Sequence, residues 1–337
     1  MQPFFVREND TTAYTLNLVY DEANRPSYFY RNIFTPVCYT GECKPVYINF
    51  YWDLLGNYIR YDLPTGKVLT KMDHKEFTEE NYNKLQDILA NPNSILGEVS
   101  IYDLITPDQD KLADSVDAKT GATLKTIRSE VIEGAVYTCY TLWHIAYGGG
   151  VKQMQHITDS LTTDDLMHRF LASQNHHYQY WAMDKVMNRK EFLPDLLLVI
   201  RGKNVFTARH ALQQINPQVF TSRSSQQWLW ATYQEANYAL QTAILKKLEV
   251  ISLQEGLTLN LAAALDKANR EQFKKMIALL NKQPKLSAQT MEVLAAQLQT
   301  ITPDYAAGIY KMLDAKKPKQ AEVIAQMKAY RMKNHPN

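Results

Sequence analysis

Val46-Tyr47-Ile48-Asn49-Phe50-Tyr51-Trp52 is the stretch that decides the first part of the fold. Successive side chains of a strand point to opposite faces, so Val46, Ile48, Phe50 and Trp52 form one set and Tyr47, Asn49 and Tyr51 the other. Asp53-Leu54-Leu55-Gly56-Asn57 then supplies a turn. Tyr58-Ile59-Arg60-Tyr61-Asp62-Leu63 returns as a second strand, and the whole reads as a hairpin. Strand-like sequence reaches back to Ala13. Downstream, Thr78-Glu79-Glu80 opens a helix that carries Tyr82, Leu85, Ile88 and Leu89 and stops near Asn91-Pro92.

Beyond Asp117, the residues Leu124, Ile127, Val131, Ala135, Thr138, Leu142 and Ile145 share one helical face, which predicts a single long helix ending at Gly148-Gly149-Gly150. Those glycines also mark the expected boundary between a domain of residues 1–150 and one of 151–337. From Leu161 to Lys333 the sequence is almost continuously helical, with short breaks at Asn216-Pro217, Gln283-Pro284, Thr302-Pro303 and Lys317-Pro318. Leu212, Leu245, Leu280 and Leu313 recur at intervals of 33 to 35 residues, within the range of helical repeats. A helix pair of that size leaves one apolar face bare, so neighbours must stack to cover it. The period resembles that of HEAT-type α-solenoids, without a diagnostic consensus; an irregular helical bundle is the alternative. The expected class is therefore α+β, an N-terminal antiparallel-sheet domain followed by an all-α, HEAT-like solenoid with no strand after Leu161.

Composition narrows the function. A chain of 337 residues exceeds what one core usually organises. Its 37 basic and 35 acidic residues are spread along the sequence for a formal charge of +2, which offers no basic stripe for a phosphate backbone, so nucleic acid is not an expected partner. The longest apolar run, Leu196-Leu197-Leu198-Val199-Ile200, is far short of the ~20 residues that span a bilayer. Met1-Gln2-Pro3-Phe4-Phe5-Val6-Arg7 lacks the basic start, apolar stretch and cleavage site of a leader, while Gln2-Pro3 suits the start of a mature exported chain. Both readings stay open. Cys38 and Cys43 flank the turn-like Tyr39-Thr40-Gly41-Glu42, where a disulfide fits if the flanking strands pair, and two reduced thiols are the alternative.

The segment that carries chemistry is Asp117-Ala118-Lys119-Thr120-Gly121-Ala122-Thr123. It resembles the Asp-x-x-Ser/Thr-Gly-Ala-Thr signature of FMN-binding domains found in sodium-pumping quinone reductase and electron-transport complex subunits. The resemblance covers Cys43 to Tyr147 and implies that the hydroxyl of Thr123 forms a phosphodiester with FMN, installed by a flavin transferase that uses FAD. It further implies a protein redox partner and a periplasmic or cell-envelope location, a cytoplasmic one being the alternative. Two family features are missing: the glycine-rich opening, and the His-x-Glu-Thr-Pro-Gly segment, where this chain has His74-Lys75-Glu76-Phe77-Thr78.

Each position also has a physical reading. Gly121 and Ala122 put no bulk beside the hydroxyl. Thr123 is expected in the first turn of the long helix, where free N–H groups and the dipole favour a phosphate. Thr120 is a cap or loop residue, and Asp117 lies just outside, where a transferase can read it. A Thr123 in mid-strand or fully buried is incompatible with attachment. Trp52, Tyr51, Tyr137 and Trp143 are candidate neighbours for the flavin ring, although in a chain with 21 tyrosines most such residues simply pack.

Other constellations are weaker. Asp73-His74-Lys75-Glu76 has the makings of an acid–base group, but a solvated loop is the commoner explanation of such a stretch. His144 reads as a helix-face residue. His168, His176 and His177 form no metal-ligand spacing. The aromatic-rich stretches Asn175-His176-His177-Tyr178-Gln179-Tyr180-Trp181 and Gln226-Gln227-Trp228-Leu229-Trp230 are docking-surface or packing residues, and the lysines from Lys316 onward read as a solvated face. Three functions are therefore carried forward: a covalent flavoprotein, a scaffold with no flavin, and a hydrolase built on His74.

Overall fold

The computed structural model describes residues 1–8, 10, 12–38, 43–106, 122–123 and 125–334. Five strands, β1 (Gln2–Arg7), β2 (Ala13–Tyr20), β3 (Pro26–Thr35), β4 (Val46–Trp52) and β5 (Tyr58–Asp62), form an antiparallel sheet in sequence order. Val46, Ile48, Phe50 and Trp52 are buried and the residues between them are half-buried, as the alternation requires. The sequence reading missed β1, in which Val6 alone is buried and the apolar pattern is too short to register. The β4–β5 turn is closed by Asp53, whose Oδ1 accepts from the backbone N–H of Leu55 and Asn57. Cys38 and Cys43 are joined as a disulfide in the connection beyond the Thr35–Val46 pair, with Cα atoms 5.8 Å apart.

Helix α1 (Glu79–Ala90) starts at a capping box in which Thr78 accepts from the Asn81 backbone and the Asn81 side chain accepts from Thr78. A two-residue ladder follows, β6 (Ile105–Thr106) with β7 (Ala122–Thr123). The single long helix expected after it is not there. Instead a 3-10 segment spans Lys125–Glu130, and α2 (Val136–Tyr147) begins only after Gly134, whose φ of 75° breaks the helical path. Ile127, Val131, Ala135 and Leu142 are nonetheless buried. Their periodicity recorded burial on one core, not continuity of backbone.

The inner face of the sheet is sealed by hydrogen bonds from large side chains to distant carbonyls. Trp52 Nε1 donates to Ala146 O at 2.9 Å, Trp143 Nε1 to Asn91 O at 2.9 Å and Tyr147 Oη to Leu89 O at 2.7 Å. Each satisfies a buried donor and locks a helix to the sheet or to its neighbour.

The glycine run is a packing site. A Cβ at Gly149 would lie 3.1 Å from Glu8 Oε1, and one at Gly150 would lie 2.8 Å from Tyr14 Oη, so the side chains of Glu8, just after β1, and of Tyr14, in β2, approach the backbone here. The following helix, α3 (Gly150–Ser160), stays with the first unit, because Gln155 Nε2 and Thr158 Oγ1 donate to Leu55 O and Leu54 O in the hairpin turn. The chain accordingly divides between Thr162 and Thr163 rather than at Gly150.

The second unit, Thr163–Asn337, is helical: α4 (Asp164–Ala172), α5 (His176–Val186), α6 (Leu193–Ile200), α7 (Val205–Gln214), α8 (Arg223–Glu235), α9 (Tyr238–Leu248), α10 (Glu255–Ala263), α11 (Arg270–Lys282), α12 (Ala288–Gln297), α13 (Pro303–Lys316) and α14 (Ala321–Asn334). Among its described residues there is no strand. Starts are written in local chemistry: the side chains of Thr163, Asn175, Asn204, Ser222, Asn237, Asn269 and Ser287 each accept from a first-turn N–H. The prolines act as expected, Pro303 at the first position of α13 and Pro217 opening a 3-10 turn. Helices pack in pairs (α4 with α5, α6 with α7, α8 with α9, α10 with α11, α12 with α13), and most also pack on the helix two further along. Leu212, Leu245, Leu280 and Leu313 occupy α7, α9, α11 and α13 and are fully buried.

One repeated device was not anticipated. Lys247 Nζ donates to Gln213 O and Ile215 O, Lys282 Nζ to Glu249 O, and Lys316 Nζ to Asn281 O and Gln283 O. Each lysine of α9, α11 or α13 thus caps the C-terminal carbonyls of the corresponding helix one pair earlier, where the dipole favours a cation. Lys316, expected on a solvated face, belongs to this set.

Candidate functional site

The signature segment is described only at its end. Asp117, Thr120 and Gly121 lie outside the described residues. Ala122 and Thr123 form β7, where Thr123 pairs with Ile105 and Ala122 with Thr106. Thr123 is the last residue of that ladder, not the first turn of an α-helix. The support drawn from a helix dipole therefore falls away, since the next element is a six-residue 3-10 segment starting at Lys125. In its place the ladder fixes the Thr123 backbone by pairing it with a strand that follows directly on the 3-10 turn Ile101–Asp103.

Three of the four proposed ring neighbours are committed to packing. Trp52 is 1% exposed with its indole N–H on Ala146, Trp143 is buried with its indole N–H on Asn91, and Tyr137 is buried. Tyr51 sits on the opposite face of the sheet, with the Arg60 guanidinium 3.8 Å from its ring centroid. Other aromatic groups lie on the Ile101–Asp103 turn and on α2. Tyr102 belongs to the Ile101–Asp103 turn and is 73% exposed. Tyr140 is half-buried and hydrogen-bonded to the Ile101 backbone, with burial raising its phenol above the usual range. His144, on the next turn of α2, meets the Tyr140 ring at a tilt of 48° with centroids 4.2 Å apart and holds Leu96 O at 3.0 Å through Nε2. This set spans two elements, the Ile101–Asp103 turn and α2, which is why spacing along the sequence did not find it.

A flavin needs a hydroxyl to esterify and a flat apolar neighbour with a few polar contacts. Tyr102 is a flat exposed group on the Ile101–Asp103 turn, and Tyr140 and His144 are a pair of flat rings on α2.

The remaining candidates resolve into ordinary structure. His74 occupies a left-handed turn position with φ of 61°, exposed, in a loop closed by Lys71 N–H to Lys75 O and the Asp73–Lys75 ion pair. Its side chain makes no hydrogen bond among the described residues, so the acid–base reading has no partner group there. His168 holds Asp195 at 3.0 Å beside Phe192. No group of three metal-ligating side chains occurs among the described residues. Cys139, on α2, is fully buried, and burial pushes its thiol up to about 12. Of the aromatic-rich stretches, Tyr178 and Trp181 pack on Phe170 and Trp228 stacks on Phe220, while Trp230 lines a groove. No described helix is long and apolar enough to cross a membrane.

No family model, curated protein or solved structure matches the chain. The functional reading therefore rests on the signature and on the geometry around it.

Proposed function

We propose that the chain is a cell-envelope flavoprotein that carries FMN on Thr123 and exchanges electrons with a protein partner held by a HEAT-like helical stack. The observation that carries this reading is the Asp117–Thr123 signature, whose last residue pairs with Ile105 in the β6–β7 ladder. In the attachment step, the Thr123 hydroxyl oxygen attacks the FMN phosphorus of FAD, the bond between the two phosphates breaks, AMP leaves and the hydroxyl proton passes to base on the transferase. The small size of Gly121 and Ala122 adds no bulk next to Thr123 in the sequence, and Asp117 is the residue the transferase reads. Bound FMN supplies one- and two-electron chemistry. The chain's own residues anchor it, offer the ring an aromatic neighbour and keep it from being lost outside the cytoplasm.

Two further observations support the setting. The Cys38–Cys43 disulfide favours an oxidising compartment. The packing of each helix pair on the next supports a solenoid, in which successive units present a continuous surface to a partner. A flavin-free interaction protein is the second reading, favoured by the commitment of Trp52, Tyr137 and Trp143 to packing.

The test is expression with an exported flavin transferase. The unmutated chain is expected to carry one FMN, read by in-gel fluorescence and intact mass. Thr123→Ala removes the nucleophile and abolishes the signal, while its folding cost stays under about 1 kcal/mol. Thr126→Ala retains it. Fluorescence surviving in Thr123→Ala assigns the wrong acceptor, and none in the unmutated chain, with a control substrate labelled, supports the interaction protein.

A further inference from the structure

The helical unit contains an open groove of about 500 Å³ that the flavin reading does not use. Its walls come from the C-terminal turns of α8 (Trp230, Tyr233, Gln234) and α10 (Asn260), the first turns of α9 (Gln241) and α11 (Gln272), and Lys267 in the 3-10 turn Leu265–Lys267. Trp230 and Tyr233, three residues apart on one helix face, stack within 10° of parallel at 5.0 Å.

Part of this groove is a closed hydrogen-bond relay. Gln241 Nε2 donates to Tyr233 O at 3.1 Å, Gln272 Nε2 donates to Gln241 Oε1 at 2.7 Å, and Asn269 N–H donates to Gln272 Oε1 at 3.1 Å. The relay holds the two helix starts in register. By contrast, the Trp230 indole N–H, the Tyr233 hydroxyl, the side-chain amides of Gln234 and Asn260 and the Lys267 ammonium make no hydrogen bond or ion pair among the described residues. All five groups can donate, and the only charge is positive.

A complementary ligand is rich in acceptors, carries one negative charge and has a flat apolar group for the Trp230–Tyr233 stack. The geometry points to an extended peptide segment with one carboxylate and a proline or aromatic side chain. Its main-chain carbonyls meet Gln234 and Asn260, its carboxylate meets Lys267, and its ring meets Trp230. A phosphate monoester would set up to two negative charges against a single lysine and matches less well.

The experiment uses the full chain and two synthetic libraries of N-acetylated hexapeptides, one with free carboxylates and one with every carboxylate amidated, with capture read by mass spectrometry. Enrichment from the free-carboxylate library is expected, for peptides holding one carboxylate and a proline or aromatic residue, with Kd on the order of 100 μM. Lys267→Gln, an exposed position that leaves folding alone, is expected to weaken the best peptide roughly tenfold, and Trp230→Ala at least as much. Phe206→Ala, exposed on α7 and outside the groove, is expected to change nothing. Equal enrichment of the amidated library, undiminished binding by Lys267→Gln, or no enrichment by the folded chain overturns the assignment. None of these outcomes bears on Thr123.

Discussion

The two units are held together over different distances along the chain. In the first, Trp52 reaches Ala146 across 94 residues, and Thr141 and Thr158 reach Val37 O and Leu54 O, each across 104. In the second, Lys247 reaches back 34 and 32 residues, Lys282 reaches 33, and Lys316 reaches 35 and 33. Gln297 does the same toward Ala262 across 35. Bonds that tie the beginning of a unit to its end make it stand or fall as one. Bonds that stop at the adjoining pair make stability a sum of neighbour terms.

The sharpest way to break that comparison is Trp52→Ala. Losing a buried indole and its bond to Ala146 is expected to cost about 3–5 kcal/mol. Hydrogen exchange should then show the sheet, α1, α2 and α3 losing protection together, with α10 to α13 unchanged. Loss confined to β4 would show that the first unit is less cooperative than its long bonds imply.

A smaller effect is expected from Lys247→Met, which leaves the Gln213 and Ile215 carbonyls without their donor. That costs about 1–3 kcal/mol, offset in part because burial already disfavours the Lys247 charge and lowers its pKa. Exchange should rise in α7 and α9 and stay unchanged in α13. A loss spread over the whole unit would erase the distinction between the two regions.

Alkali separates them more gently. Burial pushes Cys139, Tyr51 and Tyr147 up to about 12 and raises Tyr14, Tyr58 and Tyr61 still further. The unfolded chain ionises these groups near 9.0 for the thiol and 10.0 for the phenols, so above pH 9 the folded state binds more protons than the unfolded one. The stabilisation is complete below pH 9 and is lost as pH rises toward about 12. In the second unit, burial raises Tyr233 but lowers Lys247, and the two contributions have opposite sign. The first unit should therefore open first, which alkylation of its buried Cys139 reports; a Cys139 that stays unmodified while α9 opens would reverse the order.

What the sequence disclosed follows the same division. Alternation in Val46–Trp52, the Thr78 cap and the period of Leu212 to Leu313 are local signals, and each of those elements is as expected. The continuous helix from Leu124 was misread because burial on one core imposes periodicity on 3-10 and α segments alike, and only Gly134 betrays the break. Gly148-Gly149-Gly150 has the composition of a linker, yet its small size serves the approach of Glu8 and Tyr14 from more than 130 residues away. The pairing of Thr123 with Ile105 and the bond of Tyr140 to the Ile101 backbone join separate elements, so no periodic pattern in the sequence announces them. The lysine set was within reach: it shares the leucine period, and only the habit of assigning lysine to solvent hid it.

Those lysines also give the helical unit a direction in time. As the chain leaves the ribosome, α7 is finished before Lys247 exists, and its end carbonyls wait for roughly another pair of helices to be translated. The same delay recurs for α9 with Lys282 and for α11 with Lys316. Each pair is thus provisional until its successor has been made, and a ribosome that stalls between them leaves a nascent chain whose last pair lacks its C-terminal cap.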